Sequence, residues 1–434
     1  MSTLRLAWYG DDFTGASDTL ATLASAGLRA LLFPRVPTPE LIARAGPLEA
    51  LGIAGTARAL SPEAIRDELA PVAACFDTLG VPVTHYKCCS TFDSAPHVGN
   101  LVVGLTALRR LAHAPWVPIV GGQPSLGRFC AFGELYATAS AGGEVHRIDR
   151  HPTMSRHPVT PMGEADLRRH LALQGLARIA SVDLRLLDGT DGAVLDAALD
   201  ECLRTDPEAV LFDVTRDEHL AHIGRLLWQR AARQPLLALG ASSVAQALVA
   251  NWRNGGLLAP SQPRVAPAEG PVFLLVGSQS PVTAAQAREG AAGYTAVPVP
   301  VQALVADAAA VDACAARCAA LLREGRSVLA KTTSVEGPEV APLVVADASA
   351  RLLARVLELA PQVRRAGVAG GDTSSFALRS LDPWALRWAG SLAAGVPLLR
   401  LHADDARLDG LELMLKGGQM GPPDVFQRLL NGAG

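Results

Sequence analysis

No run of about 18 uncharged apolar residues occurs in the 434-residue chain, so no segment is expected to span a membrane. The first twelve residues, MSTLRLAWYGDD, carry two acids and no apolar core of signal-peptide length, which makes the cytoplasm the expected location. There is no Cys-x-x-Cys pair. Seven cysteines are an odd number, and Cys314 and Cys318 have no second pair to complete a zinc site; reduced, structural cysteines are expected. Charge of one sign is also missing: 39 Lys and Arg stand against 42 Asp and Glu, which leaves no basic excess to hold nucleic acid. The Walker pattern GxxxxGK[ST] is absent, and no GxGxxG follows the first strand, so a P-loop ATPase and a standard dinucleotide site are both unsupported. HExxH is absent as well.

What is there suits an enzyme. Apolar residues make up 49%, enough for two or three cores, and 40 glycines with 30 prolines supply many turns. Leu4 to Tyr9 reads as a buried strand, GDDFTGASD as an acidic glycine loop, residues 19–26 as a helix stopped by Gly27, and Ala30 to Phe33 as the next strand. Helices are expected over 61–79 and near 99–112, with strands at 81–86, 116–120 and Ala209 to Asp213. Strands separated by helices predict a mostly parallel sheet. Residues 121–165 lack a regular period and are read as irregular structure or a hairpin beside a site.

A proline- and glycine-rich stretch at 255–271 is the expected linker, giving domains 1–255 and 256–434. A second α/β pattern follows it. Strands are expected at Val272–Val276, Val328–Lys331 and from Gly367, with helices from about Ala284 and over 347–359. The predicted class is α/β in two domains, each a mostly parallel sheet flanked by helices.

Candidate chemistry gathers at strand ends, where open α/β sheets bind ligands. Asp11 and Asp12 follow the first strand. One is expected to face substrate as general base and the other to brace the loop, and the sequence does not say which; a helix-cap network is the plain alternative. Lys87, Ser90, Thr91 and Asp93 follow the strand at 81–86, where the lysine could hold a carboxylate. The alternative is a polar turn satisfied by its own side chains. Arg128, Arg156 and His157 lie in the basic irregular stretch and suit an anion better than a metal, since His146, His151 and His157 are too widely spaced for common zinc motifs; a loop whose residues serve structure alone is the equal alternative. In the second domain glycine sits beside polar residues at three strand ends: Gly277 to Ser280, Gly370 to Ser374, and Lys416 to Gly421, with Lys331 at a fourth. Such loops let backbone amides approach a phosphate, and three of them in one domain point to a nucleotide.

In their order along the chain, YGDDFTGASD (9–18), YKCCSTFDS (86–94), the SLGR and HPVTPM region (125–162), GSQSPVT (277–283), GGDTS (370–374) and LKGGQMG (415–421) resemble the four-carbon acid sugar kinases. The resemblance implies a first domain that binds a threonate-, erythronate- or oxo-acid-like substrate and a second that binds ATP, with Mg²⁺ on the phosphates and chemistry in the cleft between them. It places Asp12 in the substrate loop. It matches Ser278 or Ser280, the stretch Gly370, Gly371, Asp372 and Thr373, and Gly418 or Gly421 to ATP contacts. GSQS, GGDTS and LKGGQMG depart from the commoner GSCS, a glutamate at 372, and LKSGNFG. The basic HPTMSRHPVTPM stretch resembles members that act on oxidised branched or oxo sugar acids. A nucleotide-cofactor oxidoreductase and a non-catalytic sugar-acid sensor are the competing readings. The expected partner is a small sugar acid, with a homodimer as the default assembly.

Overall fold

Continuous apolar runs become strands buried on both faces. The computed structural model describes residues 4–139, 142–189, 191–258, 264–333 and 340–433. Contacts divide the chain into two compact units, Met1–Ser261 and Gln262–Gly434. Residues 259–263 of the expected linker lie outside the described residues.

The first unit opens β1 (Leu6–Gly10), α1 (Phe13–Ser25), β2 (Ala30–Phe33), α2 (Pro39–Ala45), β3 (Ala50–Ala54), α3 (Pro62–Leu79), β4 (Val83–Lys87), α4 (Leu101–Leu108) and β5 (Val117–Val120). A small insertion holds β6 (Arg128–Ala131), β7 (Glu134–Thr138) and β8 (Val145–Arg147). The chain goes on through α5 (Leu167–Ala172), β9 (Ile179–Val182), α6 (Leu184–Leu187), α7 (Gly192–Arg204), β10 (Ala209–Phe212), α8 (Asp217–Ala231), β11 (Leu236–Gly240) and α9 (Ser243–Asn254). Among the described residues the main strands lie in the order β2-β3-β1-β4-β11-β5-β10-β9, every pairing parallel. β1 is central and Leu6 to Tyr9 are wholly buried. Its register sets Gly10 opposite Ala54 of β3 and Lys87 of β4, so three strand ends meet at one edge.

The first helix departs from expectation. It begins not near Thr19 but at Phe13, directly behind β1. Asp12 is its N-cap, accepting from the Gly15 amide at 2.9 Å. Gly15, which suggested a loop, is instead a helical residue whose missing side chain matters: a Cβ there would run into the Lys87 ammonium. Gly15 leaves room for a side chain from the neighbouring strand.

Of the two readings of residues 121–165, the hairpin is found, extended by a third strand. β6, β7 and β8 form a three-stranded antiparallel sheet. Phe132 and Gly133 turn β6 into β7 with φ of 54° and 85°, the two-residue hairpin geometry that glycine tolerates and phenylalanine does not favour. Asp213, just past β10, compensates by accepting both turn amides at 2.6 and 2.9 Å.

The second unit runs β12 (Val272–Val276), α10 (Pro281–Glu289), β13 (Tyr294–Pro300), α11 (Val301–Ala306), α12 (Ala308–Arg323), β14 (Ser327–Thr333) and α13 (Pro342–Leu359). It ends β15 (Arg365–Ala369), α14 (Gly371–Leu381), β16 (Ala385–Ala393), β17 (Val396–His402), β18 (Glu412–Lys416) and α15 (Val425–Asn431). Its strands lie in the order β13-β14-β12-β15-β18-β17-β16. The first five are parallel, and β17 and β16 are antiparallel additions. The ends of β12, β15 and β18 therefore sit side by side.

Candidate active site

At the carboxyl edge of the first unit an ion cluster joins β1, β3 and β4. Arg58, in the turn after β3, donates Nη2 to Asp11 Oδ1 at 2.8 Å and Nη1 to Asp12 Oδ2 at 3.0 Å. Its Nε reaches Asp11 Oδ2 at 3.3 Å. Lys87 Nζ lies 3.9 Å from Asp12 Oδ1. The two carboxylates differ sharply in access: the Asp11 side chain is 2% exposed and that of Asp12 is 28%. Burial pushes the Asp11 carboxyl up, and Arg58 only partly offsets it. Burial also acts on Asp12, but Arg58, then Lys87 and the Gly15 amide, outweigh it and hold that carboxyl below its usual range. Lys87 is buried, yet Asp12 and then Asp11 overcome its desolvation and keep it charged.

The loop after β4 is largely satisfied from within. Thr91 donates to Asp93 Oδ1 at 2.5 Å, and Thr160 donates to Asp93 Oδ2 at 3.4 Å. His157 Nδ1 accepts the Thr160 amide at 3.1 Å. Thr91, Asp93 and His157 thus form one network, with Ser90 half-buried at its margin. Cys88 and Cys89 are thiols: burial raises Cys88 well above the ordinary value, and burial with Asp93 pushes Cys89 up to about 11. Arg128 approaches from β6, within electrostatic reach of Cys89. It has no carboxylate partner among the described residues, its Nε is a buried donor without an acceptor, and burial pulls its basicity down. Arg156 stands apart, exposed on the turn Met154–Arg156. His151 is used structurally, its Nδ1 accepting the amides of Thr153 and Met154.

In the second unit the three glycine loops converge. Gly277 and Ser278 both donate their amides to Ala369 O at 3.0 Å, which ties the end of β12 to β15. The Gly370 amide donates to Lys416 O at 2.9 Å, which ties β15 to β18. The approach is close: a Cβ on Gly277 would meet Thr373 Oγ1 at 2.5 Å, and one on Gly418 would meet Ser278 Oγ at 2.6 Å. Gly370 has φ of 140° and caps α14 without a side chain, so the amides of Gly371, Asp372 and Thr373 have no partner among the described residues. Around Gly371 a Cβ would meet nothing within 4 Å. Ser280 caps α10 through the Val282 amide at 3.2 Å. Gly421 needs its positive φ of 86° against Val396 and Val425. Lys331 is half-buried in β14, opposite Val276, two residues before the strand ends at Thr333; the loop residues 334–339 beyond lie outside the described residues.

Sequence reasoning did not single out Arg58, Thr160 or Thr283, and named Lys416 only as the start of its glycine loop. Arg58 follows β3, a strand the sequence reading did not place, so nothing local marked it. Lys416 belongs to the LKGGQMG motif but was overshadowed by its glycines.

An uncapped helix N-terminus lined by glycine loops is an anion site. A strand-end cluster with one open carboxylate, with Arg128, whose Nη1 donates to Leu126 O and which has no carboxylate partner among the described residues, within reach of the same loop, can hold a small polyhydroxy acid. Residues 6–248 match a family described as a sugar-binding N-terminal domain, and residues 273–426 one described as a nucleotide-binding C-terminal domain. A 3-oxo-isoapionate kinase of Paraburkholderia graminis is 38% identical, covering 99% of this chain and 94% of that one. A 3-oxo-tetronate kinase of Cupriavidus necator is 31% identical, covering 98% and 96%. Crystal structures of a Salmonella typhimurium protein (TM-score 0.80, 24% identity) and a Haemophilus influenzae protein (0.75, 21%) each cover 98% of both chains and share the fold.

Proposed function

The chain belongs to the four-carbon acid sugar kinase family, and on that premise we propose that it transfers the terminal phosphoryl group of ATP to a hydroxyl of a 3-oxo sugar acid. The greater identity to the 3-oxo-isoapionate kinase, 38% against 31%, favours a branched acid over a linear tetronate. The observation that carries the kinase reading is the junction of three glycine loops at the uncapped start of α14.

In this reading the second unit binds the nucleotide. The amides of Gly371 to Thr373, with Gly370, Ser278, Ser280, Gly418 and Gly421 around them, receive the phosphates, with Lys331 as a further cation. The open space at Gly371 fits that cradle. Among the described residues no three His, Cys, Asp or Glu gather to hold a metal. A Mg²⁺ ion bound with the phosphates would neutralise developing charge, and Asp372, exposed in the first turn of α14, is a carboxylate of the cradle that could contact it.

The first unit binds the acid. Arg128 lacks a carboxylate partner and suits the substrate carboxylate, with Lys87 and Ser90 as further polar contacts. Asp12, the open member of its pair, accepts the hydrogen of the attacking hydroxyl and takes its proton late, since phosphoryl transfer is loose. Asp11, with both oxygens held by Arg58, braces it. Thr91, Asp93 and His157 hold the loop in shape. In-line transfer requires the acid's hydroxyl and the terminal phosphorus to be brought together.

The test is a panel of linear and branched 3-oxo sugar acids, with threonate and erythronate, incubated with the purified chain, ATP and Mg²⁺. ADP and a phosphorylated acid should form in equal amounts, fastest with a branched oxo acid. ADP without phosphorylated acid, or turnover of a nicotinamide cofactor instead, would contradict the reading.

A further inference from the structure

β18 ends on a lysine to which the proposed reaction gives no part. Lys416 is wholly buried. Its ammonium donates to Thr283 Oγ1 at 3.0 Å and lies 5.8 Å from the centre of the Phe426 ring. No carboxylate pairs with it among the described residues. On the surrounding elements, Asp424 and Arg428 of α15 pair with each other, and Arg365 of β15 and Arg400 of β17 share Glu412 at the far end of β18. Arg288 and Glu289 of α10 and Asp372 and Arg379 of α14 are exposed. Thr283 is in the first turn of α10, whose positive end offers a cation nothing. A buried charge without a counter-charge is costly, and burial pulls Lys416 down to about 8.

The same helix grips the glycine loop that follows β18. Thr283 passes its hydroxyl hydrogen to Gly418 O at 2.7 Å. One turn on, buried Gln286 donates to the carbonyls of Met420, Gly421 and Pro422 at 3.0, 2.8 and 3.1 Å. Because a trans peptide points its N–H opposite to its C=O, the amides of Gln419 and Gly421 are turned away from α10. Neither has a partner among the described residues.

We propose that Lys416 is a positioning residue for the nucleotide's phosphates: through Thr283 it fixes the Gly418 carbonyl and so aims the loop amides, and its unbalanced charge is balanced when the phosphates arrive. This rests on the nucleotide-binding reading of the second unit. An anion brought near a buried lysine raises its proton affinity, so binding near pH 8 must draw a proton from solvent.

Calorimetric titration of the full chain with Mg–ATP at pH 8, in two buffers of different ionisation heat, measures that uptake. The wild-type protein should take up a substantial fraction of a proton, and less at pH 6.5, where Lys416 is already charged. Lys416→Met should take up none and bind ATP at least about tenfold more weakly, the order expected for a lost charged hydrogen bond. Should Lys416→Met fail to fold, Lys416→Arg, which stays charged at both pH values, should bind without pH-dependent uptake. If wild-type protein binds ATP with no proton uptake at pH 8, or a folded Lys416→Met matches its affinity and uptake, the proposal is wrong while the nucleotide site stands. If wild-type protein binds no ATP, both fall.

Discussion

Arg58 bridges two neighbouring carboxylates, its Nη2 lying 2.8 Å from Asp11 Oδ1 and 2.9 Å from Asp12 Oδ1. One cation thus holds a buried brace and an open, ionised acceptor at the end of the central strand. Removing it takes away the cation that holds both Asp11 oxygens and leaves the buried carboxylate only the longer-range charge of Lys87. Arg58→Met should therefore cost about 3–5 kcal/mol of stability, the range for breaking a buried pair on one side. Adding Asp11→Asn to it should restore a large part of that loss. Urea unfolding of the three proteins checks both statements. A folded Arg58→Met of wild-type stability would show the bridge to be incidental.

The charge around Asp12 has a pH signature. Its folded-state value is depressed, so the stability it contributes is present above its unfolded value, about 3.9, and is lost as pH falls through the lower folded value. Turnover should accordingly show no ionisation of this group between pH 5 and 7. Lys87→Met removes the second of the two cations that depress it, and the acid limb of kcat/KM should move upward. An unmoved limb would mean that Lys87 does not tune Asp12.

The glycine loops predict a contrast within one unit. Gly371→Val puts a side chain where a Cβ meets nothing, so stability should change by less than about 1 kcal/mol while ATP affinity falls at least about tenfold. Gly418→Ala drives a Cβ toward Ser278 Oγ and should disturb both stability and ATP binding. Thermal unfolding with and without ATP separates the two. Unchanged ATP affinity in folded Gly371→Val would remove the cradle from this helix.

β3, β9, β11, β13 and β16 to β18 were not placed from the sequence, whereas β1, β2, β4, β5, β10, β12, β14 and β15 were readable because each is a short apolar run bounded by turn residues, and their parallel arrangement follows from the helices between them. The start of α1 was not. Gly10 to Asp18 has the composition of a loop, and only the three-dimensional neighbour of Gly15, Lys87 from β4, explains that glycine. Asp11 and Asp12 could not be told apart for a similar reason. Their difference is made by burial, 2% exposure against 28%, and by Lys87 of β4 beside Asp12, neither of which is marked in the local sequence. Three glycine loops were legible as a set because each lies at a strand end, whereas the Lys416–Thr283 link spans 133 residues and has no local mark. A hairpin is one of two readings for residues 121–165, but its turn at Phe132 could not be placed, because the amides there are held by Asp213, 81 residues away.

The central claim is phosphoryl transfer to an acid whose hydroxyl is held by Asp12. Rapid-quench single turnover tests it most directly, with terminally labelled ATP, a branched 3-oxo sugar acid, and wild-type and Asp12→Asn proteins, ATP affinity being measured on the same samples. Label should pass to the acid with the wild-type protein. Asp12→Asn, folded and binding ATP normally, should transfer it about 10²–10⁴-fold more slowly, the range that a general base supplies. Transfer by Asp12→Asn at near the wild-type rate, or no labelled acid from the wild-type protein, would contradict the account.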